Sequence, residues 1–138
     1  MAVSQVKQIL AKYPKDVRFI FKQFPLDDHS QAKLAGEASL AAQAQGKFWE
    51  LHDTMYANFR SISRAHIDAW AKEIGLDLPR FDAALNSHTY ARRVASEEKQ
   101  GEDAGVEGTP TFYIDGARLN AVFDVATVSP IIDKKLKR

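Results

Sequence analysis

The stretch GVEGTPTFYIDG, residues 105–116, decides how the chain folds. One proline, Pro110, stands between two threonines directly before Thr111–Ile114, a run with the aromatic and β-branched composition of a strand. Asp115-Gly116 then favours a tight hairpin turn, and we expect a partner strand within Leu119–Phe123. The sequence therefore predicts a β-hairpin with a proline at its mouth.

The segments on either side of this hairpin predict an α/β fold. At the start of the chain, apolar residues recur at helical spacing until Tyr13-Pro14 ends the run. Val17–Phe21 follows as a second predicted strand. At the other end, Val125–Leu136 favours a helix, which Pro130 either kinks or begins. A helix that leads into a strand is half of an α/β crossover.

The segment from about residue 30 to residue 104 contains four or five predicted helices with short connections and no strand signal. Local signals set the helix ends: Ser30 and Ser63 as N-caps, Pro79 as a first helical residue and Gly46 as a C-terminal glycine. We expect the large aromatic residues of this segment to pack in a core or between domains, namely Phe48, Trp49, Phe59, Trp70 and Phe81. We therefore predict a single domain over residues 1–138 with a helical insertion at about 30–104.

Composition limits the partners and the chemistry of the chain. Because 19 Lys and Arg residues are balanced by 18 Asp and Glu residues, we expect no nucleic-acid partner. No apolar run approaches the roughly 18 residues of a membrane span, so we expect no membrane partner either. The four histidines lie at no metal-ligand spacing, which predicts surface or helix-end positions, no metal and no cofactor. Since the sequence contains no cysteine, disulfides and a cysteine nucleophile are excluded.

Two further groups of polar residues have an ordinary explanation. His52-Asp53 could form a proton relay on the aromatic helix, but a helix of this composition more often simply packs. The four carboxylates of SEEKQGED, residues 96–103, are expected on a solvated helix face. Neither group predicts a catalytic site.

Five segments together resemble one protein family in order and spacing. They are VRFIFKQFPL, the alanine-rich helix after Ser30, GKFWELHDTMYAN, GLDLPRFDAALNS and GVEGTPTFYIDG. The set is similar to the DsbA-like thioredoxin-fold proteins, which resemble thioredoxin with an inserted helical domain. The resemblance covers nearly the whole chain, and it implies an α/β, thioredoxin-like fold with the first central strand missing.

The resemblance also implies a role for the loop Gly108, Thr109 and Pro110. In the family the peptide bond before this proline is cis, and the residue before it pairs with an extended substrate peptide. The alternative is an ordinary Thr-Pro start of an edge strand. In the family the loop faces a Cys-x-x-Cys dithiol at the start of the first helix. Here that turn and its strand are absent, because Met1 stands about where the neighbours of the second cysteine are expected. We therefore expect no catalytic residue.

The function implied is that of a truncated or cysteine-free thiol:disulfide oxidoreductase domain, redox-inactive as given. A first alternative is a non-enzymatic module that binds an extended peptide or a partner protein. A second is a glutathione-dependent isomerase of the kappa class, with Ser4 in place of a cysteine. By resemblance the protein belongs in the bacterial periplasm or cell envelope, although no signal peptide is visible in the chain.

The missing strand has a consequence for assembly. In the thioredoxin fold it lies between the strands that correspond to Val17–Phe21 and Thr111–Ile114. Strands that lack a hydrogen-bond partner recruit other chains. We therefore expect either that these two strands close up directly or that a homodimer completes the sheet by strand exchange.

Overall fold

The structure, a computed structural model, describes residues 2–137. Within these residues the chain forms seven α-helices, one short 3₁₀ turn and one two-stranded sheet. The elements are α1 Ala2–Lys12, α2 Ala32–Gln43, α3 Phe48–Ala57, the 3₁₀ turn Phe59–Ser61, α4 Arg64–Glu73, α5 Leu78–Asn86, α6 Ala91–Asp103, β1 Tyr113–Ile114, β2 Ala117–Arg118 and α7 Val125–Lys135.

The chain divides into two compact units. Met1–Phe21 and Gly108–Arg138 form the first, here called the terminal unit, and Lys22–Glu107 forms the second, the helical unit. The helical insertion expected at about 30–104 falls within the helical unit. That the whole chain acts as a single domain stays a prediction.

The helical unit is built around the alanine-rich helix α2. Small side chains on α2 allow α3, α4 and α5 to approach closely, and the apolar residues of all four helices form one core. Its buried members include Leu51, Ile67 and Phe81. Phe59, expected in this core, is instead 59% exposed, because α3 ends at Ala57 and the 3₁₀ turn redirects the chain. Trp49 is 42% exposed, so the expectation of a core position was wrong for both residues, and packing between domains stays a prediction.

The ends of these helices follow local signals with one exception. The Ser63 hydroxyl accepts a hydrogen bond from the His66 amide, and Pro79 lies in the first turn of α5. Gly46, after α2, has a positive φ of 75°, which glycine adopts without steric cost. Ser30 does not cap α2, which begins after Gln31 without a side-chain cap.

A buried polar cluster fixes the start of the helical unit to its helices. The Gln23 amide donates to Glu97 Oε1 at 3.0 Å, and the Gln23 side chain donates to Ser39 Oγ at 2.8 Å. Glu97 also accepts from Arg93 Nε at 3.0 Å. Glu97 is only 6% exposed, so the expectation that all four carboxylates of residues 96–103 face solvent was wrong for this residue. Its charge is compensated by an arginine and a backbone donor.

The terminal unit packs α1 beside α7. The Gln5 side chain accepts a hydrogen bond from the Val125 amide at 3.0 Å, at the start of both helices. At their other ends the Tyr13 hydroxyl donates to Asp133 Oδ1 at 2.7 Å. The two helices are therefore parallel. Pro130 lies inside α7, which begins after Asp124, so it does not start the helix.

The sheet is smaller than the sequence predicts. β1 pairs with β2 in antiparallel register, and the turn residues Asp115 and Gly116 both have positive φ, as a type I′ turn requires. The partner strand is Ala117–Arg118 rather than Leu119–Phe123, although the Leu119 amide still donates to the Phe112 carbonyl at 2.8 Å.

The strand expected at Val17–Phe21 is not formed: among residues 2–137 this segment pairs in no sheet. It therefore does not close up with Thr111–Ile114, because the β-ladders of the described chain are limited to the hairpin. Val17 instead packs on the apolar cluster between α1 and α7. Exchange of strands between two copies of the chain stays a prediction.

Candidate functional site

The loop Gly108, Thr109 and Pro110 leads into the hairpin of the terminal unit. The Thr109–Pro110 peptide bond is cis, the isomer that the family resemblance implies. Thr111 Oγ1 donates to the Gly108 carbonyl at 2.6 Å, which closes the loop on itself. Thr109 and Pro110 are exposed to solvent. The loop is thus held in place by a local hydrogen bond, with its tip accessible.

A cavity of about 470 Å³ lies beside this loop, here called the groove. Pro110, Thr111 and Phe112 line one side of it, and the segment from Arg118 to Asp124 lines the other. Ala2 and Gln5, in the first turns of α1, complete the wall. Gly108 and Thr109 are not among the lining residues. The assignment of these three loop residues to substrate binding stays a prediction, and Pro110 is the one that contacts the groove.

Aromatic stacking and a helix cap hold the walls of the groove. The rings of Phe112 and Phe123 stack with centroids 3.8 Å apart and an angle of 14° between their planes. Asp124 then caps α7, since its Oδ1 accepts from the Thr127 amide at 2.7 Å. This hydrogen bond lowers the pKa of Asp124, because it stabilises the charged carboxylate. Two packed rings and a capped helix thus fix the segment that carries Val122.

One part of the groove lining is apolar and accessible. Val122 is 72% exposed, and it lies with Pro110, Phe112 and Leu119 along the same cavity. The sequence pattern did not single out Val122 or Phe123 as binding residues. Their only signal was the short apolar run AVF after the hairpin, which we interpreted as a strand. An exposed apolar wall binds by burial of surface, at roughly 25 cal/mol per Å².

The four histidines differ in their exposure to solvent. His29, His66 and His88 are exposed, as expected. His52 is not: it is 6% exposed, among the rings of Phe48, Trp49 and Tyr56.

The His52 Nδ1 lies 3.0 Å from Asp53 Oδ1, which gives the imidazole a partner within the aromatic packing. Among residues 2–137, no group of three or more metal-ligating side chains is close enough to hold a metal ion. A proton relay through His52 stays untested.

Comparison with known proteins agrees with the fold. A family model described as thioredoxin matches residues 2–134. The crystal structure of a thioredoxin-like oxidoreductase from Silicibacter pomeroyi DSS-3 superposes with a TM-score of 0.77 at 21% sequence identity, and the match covers 99% of this chain and 78% of that one.

Two curated relatives are described as Na⁺/H⁺ antiporters. The chain is 34% identical to Na⁺/H⁺ antiporter NhaA 3 of Salinispora tropica over 92% of its own length, and 32% identical to Na⁺/H⁺ antiporter NhaA of Herminiimonas arsenicoxydans over 89%. It spans about a fifth of the length of each of these relatives. No helix in the described part of the chain is long and apolar enough to cross a membrane.

The family match extends over α1, the helical unit, the hairpin and nearly all of α7, and the superposition shows the same fold. Its helix-rich form, with a two-stranded sheet in residues 2–137, corresponds to a thioredoxin-like fold with a helical insertion and without the central strand. The chain belongs to the DsbA-like thioredoxin-fold family.

Proposed function

We propose that these 138 residues form a domain of the thiol:disulfide oxidoreductase type that binds an extended segment of a partner protein and is redox-inactive as given. The observation that carries the proposal is the groove beside Pro110, which combines an exposed apolar wall with a loop held in place. The same features support a non-enzymatic binding module. The two descriptions differ in whether a thiol is supplied from outside these residues.

The lack of redox activity follows from the chemistry of disulfide exchange. A thiolate must attack a disulfide sulfur to form a mixed disulfide, and a second thiolate must resolve it. The chain has no cysteine, and its two methionines carry thioethers that cannot form a disulfide. We therefore expect the 138-residue protein not to reduce the disulfides of insulin in the presence of dithiothreitol beyond the rate of dithiothreitol alone. Acceleration by the chain would contradict the proposal.

The mass of the protein isolated from its source cells decides between the two descriptions. Intact mass spectrometry with and without reduction and alkylation reports both length and thiol content. A longer protein that gains two alkyl groups supports an oxidoreductase whose dithiol lies outside these residues. A protein that gains none supports a binding module without redox chemistry.

The groove itself is tested by binding of an unfolded protein. We expect the chain to bind reduced, carboxymethylated lactalbumin, and we expect Val122→Asp to weaken binding because a charge replaces an exposed side chain of the apolar wall. Phe59→Asp is the matched control, since Phe59 is an exposed apolar residue of the helical unit. Equal effects of both substitutions would show that the groove is not the binding site.

A second candidate function comes from the curated relatives. Because the chain matches about a fifth of proteins described as Na⁺/H⁺ antiporters, we also propose that it accompanies such an antiporter at the membrane, as an attached domain or as a partner. The test is co-purification of the tagged chain with an antiporter from detergent-solubilised membranes of its source cells, after chemical crosslinking. If no antiporter is found in the crosslinked products, this second role is overturned. That result does not bear on the proposed binding in the groove.

A further inference from the structure

Electrostatic charge is distributed unevenly between the two units. The terminal unit contains nine Lys and Arg residues against four Asp and Glu residues, a formal charge of +5, whereas the helical unit contains ten against fourteen, a formal charge of −4. The net charge of +1 for the whole chain therefore conceals a strongly basic unit. Such asymmetry within a chain is typical of a protein that meets an anionic surface.

Much of this positive charge lies at one end of the terminal unit. Because α1 and α7 are parallel and joined by the hydrogen bond from Tyr13 to Asp133, their last turns lie side by side. Val17 and Leu136, which follow those turns, pack on the same apolar cluster. Five lysines lie in or just after the last turns of these two helices. We call this group the basic end: Lys12, Lys15, Lys134, Lys135 and Lys137.

The cations of the basic end are only partly compensated within the unit. Lys135 lies 3.6 Å from Asp115, and Asp133 accepts a hydrogen bond from Tyr13. No other lysine of the basic end forms a salt bridge to any residue that the structure describes, and all five are exposed.

The helix dipoles explain part of the basic end but not all of it. Lysines in a last turn are favoured by the partial negative charge of the helix carboxyl end, about half a charge for each helix. Two helix ends therefore offset roughly one of five positive charges, and the Asp115 carboxylate compensates that of Lys135. The remaining cations repel one another, which costs stability unless a partner supplies negative charge.

We propose that the basic end docks on a lipid bilayer that contains anionic headgroups. The cations come from two separate chain segments and spread over an end of the unit, as contact with a broad charged surface requires. Lysine stems also cover apolar surface while their ammonium groups reach phosphates. The choice of a bilayer over another polyanion rests on the proposed role beside a membrane antiporter. The absence of a spanning run, which led us to expect no membrane partner, does not bear on peripheral contact.

Vesicle co-sedimentation of the 138-residue chain tests this docking. We expect binding to vesicles of phosphatidylcholine with about one third phosphatidylglycerol, none to phosphatidylcholine alone, and loss of binding when salt rises from about 0.05 M to about 0.5 M. Each cation near an anionic surface contributes about fivefold to partitioning, so the triple variant Lys134→Gln, Lys135→Gln, Lys137→Gln is expected to bind on the order of a hundredfold more weakly.

The matched control removes three exposed lysines from the helical unit: Lys22→Gln, Lys33→Gln, Lys72→Gln. It has the same net charge as the first variant and is expected to bind like the wild type. Circular dichroism checks that both variants fold. Equal loss in both triple variants would overturn the proposal, as would equal binding to neutral vesicles.

Tighter binding of the wild type to polyglutamate or duplex DNA than to the anionic vesicles, at the same salt, would also overturn it. The Val122→Asp variant keeps this test separate from the groove, because its vesicle binding is expected to equal that of the wild type. If the chain binds lactalbumin but not the anionic vesicles, the docking of the basic end on a bilayer is rejected, whereas the proposed binding of an extended segment in the groove is not.

Discussion

Tyr13 ties the two long helices of the terminal unit together near their last turns. It is only 2% exposed, and its hydroxyl donates to Asp133 Oδ1 at 2.7 Å and lies 3.2 Å from the Ser129 carbonyl. Its ring packs on Ile9 and Val128 in the apolar cluster of the unit. The residue thus contributes both burial of a ring and a satisfied buried polar group.

Removal of that hydroxyl should destabilise the protein measurably. For Tyr13→Phe we expect the free energy of unfolding to fall by about 1–2 kcal/mol, because the two acceptors lose their donor while the ring packing stays. Urea denaturation followed by circular dichroism measures this change. Tyr90→Phe is the matched control, since the Tyr90 hydroxyl forms no hydrogen bond to the residues that the structure describes. A loss of equal size in both variants would mean that the Tyr13 hydrogen bonds contribute nothing specific.

Asp124 makes the stability of α7 depend on pH. The pKa of Asp124 is lowered, first by its hydrogen bond from the Thr127 amide, so the folded state favours the carboxylate. Its contribution is therefore fully present above the ordinary aspartate pKa of about 3.9 and is lost as pH falls below that value toward the lower folded pKa.

Thermal unfolding between pH 6 and pH 2 checks this contribution. Asp124→Asn keeps a capping acceptor but no titrating group, so we expect its melting temperature to fall less steeply with acid than that of the wild type. Asp27→Asn, at an exposed position without a cap, serves as the control. Identical acid dependence of all three proteins would contradict a role for Asp124.

In helix α6, a side chain from a distant segment of the sequence limits which residue fits at one position of the helix. Gly101 lies in its last turn, where alanine would normally be favoured by about 1 kcal/mol. A Cβ at this position would lie 2.6 Å from Cδ2 of Phe24, inside van der Waals contact. The helix therefore needs a glycine here because Phe24 packs against its backbone.

Substitution at Gly101 is expected to act against helix propensity. We expect Gly101→Ala to lower the free energy of unfolding by about 1–3 kcal/mol, the usual cost of overpacking. The same substitution in a Phe24→Leu background removes the ring and should be neutral or stabilising. Chemical denaturation of the four proteins gives the coupling directly, and additive effects would rule out the steric explanation.

Sequence signals predicted the elements whose causes are local. Ser63, Pro79 and Gly46 act on their own neighbours, so the helix ends that they set agree with the structure. A strand depends on a partner elsewhere in the chain, and Val17–Phe21 has strand composition but no partner in a sheet of residues 2–137. The burial of Glu97 likewise depends on Gln23, 74 residues earlier.

The groove was only half predictable for the same reason. Pro110 stood out by its position before an apolar run, whereas the opposite wall is formed by Val122 and Phe123, which approach it only once the hairpin has folded. The turn signal at Asp115-Gly116 predicted that the chain reverses into an antiparallel hairpin, but it did not indicate at which residues the pairing ends. The second wall of the groove begins at Arg118, the residue at which the pairing of β1 with β2 ends.

At the scale of the whole molecule, the segment Val17–Phe21 has the composition of a strand but lies outside the two-stranded sheet. The described chain has four residues in strands, although Val17–Phe21 keeps the composition of one. Ile20, in this segment, is 55% exposed. An exposed apolar side chain in a segment of strand-forming composition favours contact with another chain, and a second copy supplies an identical segment.

We therefore expect a homodimer in which strand exchange between two copies adds strands to the sheet. Sedimentation velocity should show a dimer that dissociates on dilution, because the contact adds few buried residues. Ile20→Lys should shift the equilibrium toward monomer, since a charged side chain on an edge opposes pairing. Phe59→Lys, an equally exposed apolar residue of the helical unit, should leave it unchanged. A single monomeric species at all concentrations, or an equal effect of both lysines, would show that Val17–Phe21 does not mediate assembly.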